Sequence, residues 1–139
     1  MSNWTHVAGV IRVDAFKFDD DEREPNFDEV IGKELHFYDS REEWDYAFKH
    51  EEEYLPLGSE GSLQKSVWIN PNKDDVASYT VTIFGDLRDH HKPEDIIDWF
   101  KGVCAKVWVR NAIITVQNEW NGTKDWRYVD EDESEEKKS

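Results

Sequence analysis

Two helical patterns, each set between runs suited to β-sheet, restrict the fold more than any other feature. Over residues 5–14, Val7, Ile11 and Val13 fall on one side of an extended chain, and Ala8 and Val10 on the other. Such alternation marks a strand buried on at least one face. Residues 63–69 bring Leu63, Val67 and Ile69 into phase, and residues 78–84 are β-branched or aromatic at nearly every position. A last long strand is expected over 112–119. Ser40 followed by Glu43 is a capping box. It opens a helix in which Trp44, Ala47, Phe48, Glu51 and Leu55 keep helical spacing until Pro56. Pro93 suits a first helical turn. It leads a broad stripe of Ile96, Ile97, Phe100, Val103, Cys104 and Val107, slightly weakened by Gly102.

Smaller signals complete the order. Asn26 with Glu29 predicts a short helix to about Ile31, and residues 34–38 read as a short strand with Leu35 and Phe37 on one face. Residues 58–62 read as a flexible connector, and Asn70-Pro71-Asn72 as a turn. Asn121-Gly122 between two strand-like runs predicts a type I′ hairpin, because both central residues of that turn need positive φ. Its second strand is 124–129. The sequence of elements is strand, helix, strand, strand, helix, strand, plus a hairpin strand. It resembles a ferredoxin-like βαββαβ α+β sandwich with an added C-terminal strand. One α/β domain is expected over 1–129, with an insertion at about 15–39 and a disordered acidic tail at 130–139.

Charge is the next constraint. The 139 residues hold 32 acidic and 17 basic side chains, for a formal charge of −15. The tail contributes net −4 of this and leaves −11 on the expected domain. A surface this acidic repels phosphate backbones, which argues against direct nucleic-acid binding. The chain also holds seven Trp, five Tyr and seven Phe, too many for a disordered acidic protein. Burial preference places most of them in the core. One cysteine, Cys104, excludes an internal disulfide and any multi-cysteine metal site. No apolar run is long enough to span a membrane, and no basic-then-apolar leader is visible. A soluble cytoplasmic protein without a cofactor is the expectation.

Motifs for chemistry are scarce. Asp86, Asp89, His90 and His91 sit close together before the Pro93 helix and are the candidates for a divalent metal or small ligand, although their spacing matches no known metal motif. Most loops of this composition simply lead into a helix. His6 on a strand reads as an exposed or satisfied sheet residue. Cys104 on an apolar stripe is expected to be inert. There is no nucleophile elbow, and Glu60 in the 58–62 loop would repel a phosphate. The ferredoxin-like analogy permits further exclusions. An RNA-binding version would stack bases on Tyr79 or Phe84, but beside a field of the wrong sign. Copper-chaperone and acylphosphatase versions need paired cysteines or a Gly-rich, Arg-bearing loop after the first strand, and neither is present.

The lines Trp4-Thr5-His6-Val7-Ala8-Gly9-Val10-Ile11-Arg12-Val13-Asp14 and Arg110-Asn111-Ala112-Ile113-Ile114-Thr115-Val116 resemble small acidic proteins encoded by phages and prophages. That resemblance implies a non-enzymatic antagonist docking on a basic nucleic-acid-binding groove of a host factor. Candidate contacts are Asp19, Asp20, Asp21, Glu22 and Glu24, with Glu51, Glu52 and Glu53. A single-sign surface steers association with basic partners. The alternatives are a ligand-binding protein using residues 86–91, and a homo-oligomeric scaffold joined through an exposed edge at 124–129.

Overall fold

A computed structural model describes residues 2–16, 26–70, 78–89 and 92–128. Strand β1 (Trp4–Phe16) is followed by helices α1 (Phe27–Val30) and α2 (Arg41–Lys49), then β2 (Gln64–Asn70) and β3 (Ser78–Arg88). Helix α3 (Pro93–Ala105), β4 (Val107–Asn118) and β5 (Gly122–Arg127) complete the chain. The result is a mixed α+β fold on one antiparallel sheet, in the order β2-β3-β1-β4-β5.

β1 occupies the centre, paired with β3 on one side and β4 on the other. Because side chains alternate across a strand, its odd residues face the core and its even residues face outward. Thr5, Val7, Ile11 and Val13 are buried; Ala8 and Arg12 are exposed. In register with them, Val81, Ile83 and Leu87 of β3 and Ala112, Ile114 and Val116 of β4 face inward. α3 lays Ile96, Phe100 and Val103 on this inner face. Gly9 makes room for it: a Cβ there would lie 3.2 Å from Phe100 Cε1 and from the Ile113 carbonyl oxygen. A glycine in a strand interior often marks such a close approach. Each large apolar side chain fully buried here contributes about 1.5–3 kcal/mol.

The first crossover is held differently. Lys65 shares the inward phase of β2 with Val67, and its side chain is only 5% exposed. Its Nζ lies 2.6 Å from Asp28 Oδ1, 2.9 Å from the Gly32 carbonyl oxygen and 3.0 Å from Glu34 Oε1. One buried ammonium therefore ties α1 and the segment after it to the sheet. Ile31 and Leu55 add apolar anchors in the core.

Several expectations change. The capping box at Ser40 forms, with Ser40 Oγ accepting from Glu43 N at 3.2 Å, but α2 stops at Lys49 and a 3-10 turn covers Glu51–Glu53. His50, at φ −133° and ψ 51°, breaks the helix before Pro56 can. Residues 34–38 form no strand: Asp39 N donates to the His36 carbonyl, and Asp39 Oδ2 accepts from His36 N, closing a turn instead. Val107 belongs to β4 rather than to the helix, because the chain leaves α3 at Lys106. The hairpin is not type I′. Only Gly122 has positive φ (86°), Asn118 pairs with Gly122, and residues 119–121 form a three-residue loop. The buried Asn118 side chain imposes this by accepting from Trp120 N and Asn121 N while donating to Thr5 Oγ1. The 58–62 loop is pinned rather than free, with Ser59 N donating to the Arg88 carbonyl and Arg88 N to the Glu60 carbonyl. The expected tail at 130–139 lies outside the described residues.

Two substitutions test this account. Lys65→Ala leaves Asp28 and Glu34 without their cation and should cost about 2–3 kcal/mol in chemical denaturation, somewhat below a fully buried pair because Asp28 is exposed. Gly61 has φ 87°, and a Cβ there falls on the Asp86 carbonyl oxygen. Gly61→Ala should therefore cost about 2 kcal/mol or more, read as a lowered thermal midpoint.

Candidate functional site

Eight aromatic or large apolar rings stay substantially exposed among the described residues: Phe37, Tyr38, Tyr46, Phe48, Trp68, Phe84, Trp108 and Trp120. Among the described aromatics, Phe100 alone is fully buried. The fully buried core is mainly aliphatic, with Phe27, Tyr79, Trp99, Trp126 and Tyr128 packed partly buried against it, so the expected aromatic core is met only in part. Four of the eight lie on the first crossover.

α2 buries one side chain, Ala47. Its other positions carry Glu42, Glu43 and Asp45 to solvent beside Tyr46 and Phe48, with Arg41 and Lys49 exposed at its two ends, and exposed Glu51 and Glu52 follow. Glu53 differs from its neighbours. It accepts from the Tyr46 hydroxyl at 2.8 Å and lies 3.4 Å from Lys33 Nζ. The Tyr46 hydrogen bond, with Lys33 assisting, holds its carboxyl below the usual range. Of the three glutamates singled out by sequence, two are open to a partner and the third braces the turn. Asp19, Asp20, Asp21, Glu22 and Glu24 lie outside the described residues.

In front of α2 stands an aromatic tip. Phe37 is 97% exposed and Tyr38 82% exposed. The turn below them is closely held. Besides the two Asp39 contacts, Trp44 Nε1 donates to the His36 carbonyl at 3.3 Å, and the His36 ring stacks on Tyr38 at 5.1 Å. An exposed phenyl ring on a braced turn costs little entropy to dock. The alternation of Leu35 and Phe37 suggests one face of a strand, but the chain turns at 36–39 instead. The signal that finds it is the Asp39-Ser40 pair, which suits a turn and cap better than a strand.

The 86–91 segment does not form the expected cluster. β3 runs four residues past Phe84, so Asp86 belongs to a strand and not to a loop. Its Oδ1 lies 2.5 Å from His6 Nδ1, and Glu119 Oε2 lies 3.3 Å from His6 Nε2. Asp89 sits at φ 57° and accepts from Asn3 N and Ser59 Oγ. Both carboxylates thus serve local contacts, and His90 and His91 lie outside the described residues. Among the described residues no group of three or more His, Cys, Asp and Glu side chains is placed to hold a metal. Burial pushes the Cys104 thiol up to about 12, which suppresses its thiolate. No helix among them is long and apolar enough to cross a membrane.

The outer face of the sheet is the second exposed surface. It presents Trp68, Phe84 and Ile113 among charged side chains, and none of the described helices packs on it. Set against known proteins, the chain matches no family model, no curated protein and no solved structure.

The His6 site yields a titration. Its hydrogen bond to Asp86 is the largest influence and, with the Glu119 contact, outweighs the opposing desolvation, so that the pKa is raised above 6.5. A raised folded-state pKa gives stability that is full below 6.5 and is lost as pH rises through the folded value. NMR titration of the His6 ring should give a midpoint above 6.5, and Asp86→Asn should bring it back toward that value.

Proposed function

We propose that this chain is a non-enzymatic binding domain that docks on a basic protein surface through the acidic and aromatic face of its first crossover. The observation that carries this reading is α2, a nine-residue helix that buries only Ala47. Helices hold their place mainly by burying an apolar face. Here the exposed face combines Glu42, Glu43, Asp45, Glu51 and Glu52 with Tyr46 and Phe48, and the Phe37 tip stands beside it in sequence. Carboxylates steer a basic partner in, and rigid aromatic side chains supply the short-range energy. In its sharpest form the partner's surface is a nucleic-acid-binding groove, occupied in the manner of phage-type antagonists of host factors. The resemblance of residues 4–14 and 110–116 supports that form.

We also read the fold as ferredoxin-like. Counted from its other edge, the sheet order is β5-β4-β1-β3-β2. The first crossover passes from β1 to β2 over β3, and α3 passes from β3 to β4 over β1, as two split βαβ units would. β5 adds an edge strand beyond β4. Such a fold carries no function of its own, so the binding reading rests on the crossover surface.

Affinity capture from bacterial lysate tests the binding reading. The immobilised chain should retain a basic protein at low salt, lose it at high salt, and release it to added duplex DNA. Phe37→Ser should weaken capture by roughly 30-fold, the scale of a hot-spot truncation of about 2 kcal/mol. Neutralising Glu42, Glu43, Glu51 and Glu52 together should slow association. Retention of nothing basic, or capture indifferent to both changes, rules the reading out.

A further inference from the structure

The open sheet face is independent of the crossover surface and has an order of its own. Four rows cross it, read from strand register. Trp68, Thr80, Arg12 and Asn111 form the first; Ser66, Thr82, Val10, Ile113 and Arg127 the second. Phe84, Ala8, Thr115 and Asp125 form the third; Asp86, His6, Gln117 and Thr123 the fourth. Arg12 and Arg127 stand in the first two rows, Asp125 in the third and Asp86 paired with His6 in the fourth, with Val10, Ile113, Phe84 and Ala8 in the middle rows. Arg12 bonds to Asn111 Oδ1, and neither Arg12 nor Arg127 has a carboxylate within ion-pair distance among the described residues.

This pattern is self-complementary. A two-fold axis lying across the strands at the level of Gly9 exchanges the Val10 row with the Ala8 row, and the Arg12 row with the His6 row. Stacked that way, with the tilt of about 30° that sheet twist imposes, each Arg127 meets the partner's Asp125. Each Arg12 lies over the partner's His6, which the carboxylates of Asp86 and Glu119 flank. The apolar centre meets itself. We infer that the outer sheet face, centred on Val10, Phe84 and Ile113, is a two-fold self-association surface on which two copies of this chain stack sheet to sheet with strands running in opposite directions.

Size fits a modest dimer. Strands about 4.8 Å apart and rows about 6.8 Å apart make a face roughly 20 Å on a side. Two copies then bury on the order of 1,000 Å² in total, the lower bound for a specific interface. The association is therefore weak and concentration-dependent. It also differs from edge-to-edge pairing through β5, where Lys124 already reaches Glu94 of α3.

Sedimentation velocity on the full chain from low to high micromolar concentration reads this directly. A monomer–dimer equilibrium should appear, weakened at least tenfold by Ile113→Lys and by Phe84→Ser, with circular dichroism confirming that each variant folds. Arg127→Asp and Asp125→Arg should each weaken it, and the double exchange should restore it. A monomer throughout the range overturns the inference. So does a dimer insensitive to Ile113→Lys and Phe84→Ser, which places the contact elsewhere, or a double exchange that fails to restore association.

Discussion

The whole molecule is registered on β1. This strand takes antiparallel partners on both sides over most of its length, so the parity of its residues sets the parity of the sheet. A one-residue slip on either side would turn Val81, Ile83, Ile114 and Val116 to solvent together. That penalty makes the register unique. The pairing with β4 departs from this register twice, between Arg12 and Val13 and between Val13 and Ala15. Asp14 and Arg110, each left over on its own strand, meet there at 3.1 Å. The outward side chains of β1, from His6 to Arg12, then define the open face by the same parity.

The two crossovers cover the inner face by different physics. α3 covers it by the hydrophobic effect, with a broad apolar stripe over Gly9 and the β4 side chains. The first crossover contributes few apolar anchors, chiefly Ile31, Leu55 and Leu63, and adds the buried Lys65 ammonium with two carboxylates and a carbonyl. A buried ion group is costly to break and contributes little net stability. What it provides is position: Asp28, Gly32 and Glu34 converge on one nitrogen. The remainder of this crossover, including α2, is free to face outward, and it is here that the acidic and aromatic side chains gather.

Strands and the α3 helix were legible because their periodicities are long and their burial one-sided. Helix α2 was legible as a helix from Ser40 and Glu43, yet its orientation was not. Its spacing of Trp44, Ala47 and Phe48 looks like an inward stripe, but only Ala47 goes in. Amphipathic spacing names a face without naming what it meets. The metal candidates misled for a related reason. Asp86 and His91 are neighbours in sequence, but the strand extends through Asp86, and antiparallel pairing hands it to His6 eighty residues away. The aromatic residues misled by identity: a bulky ring suits a core or an interface equally well, and composition does not separate them.

By itself, the sequence determined that there would be four long strands, two principal helices, a closing hairpin and a strongly acidic surface, because alternation, capping and charge are local properties. Tertiary structure alone decided which strand is central, that Asn118 would reshape the Asn121-Gly122 turn, and that Lys65 would be buried. It also decided which exposed rings lie beside which charges. These depend on groups far apart in the chain being brought within a few ångströms, where desolvation and hydrogen bonding outweigh local preference.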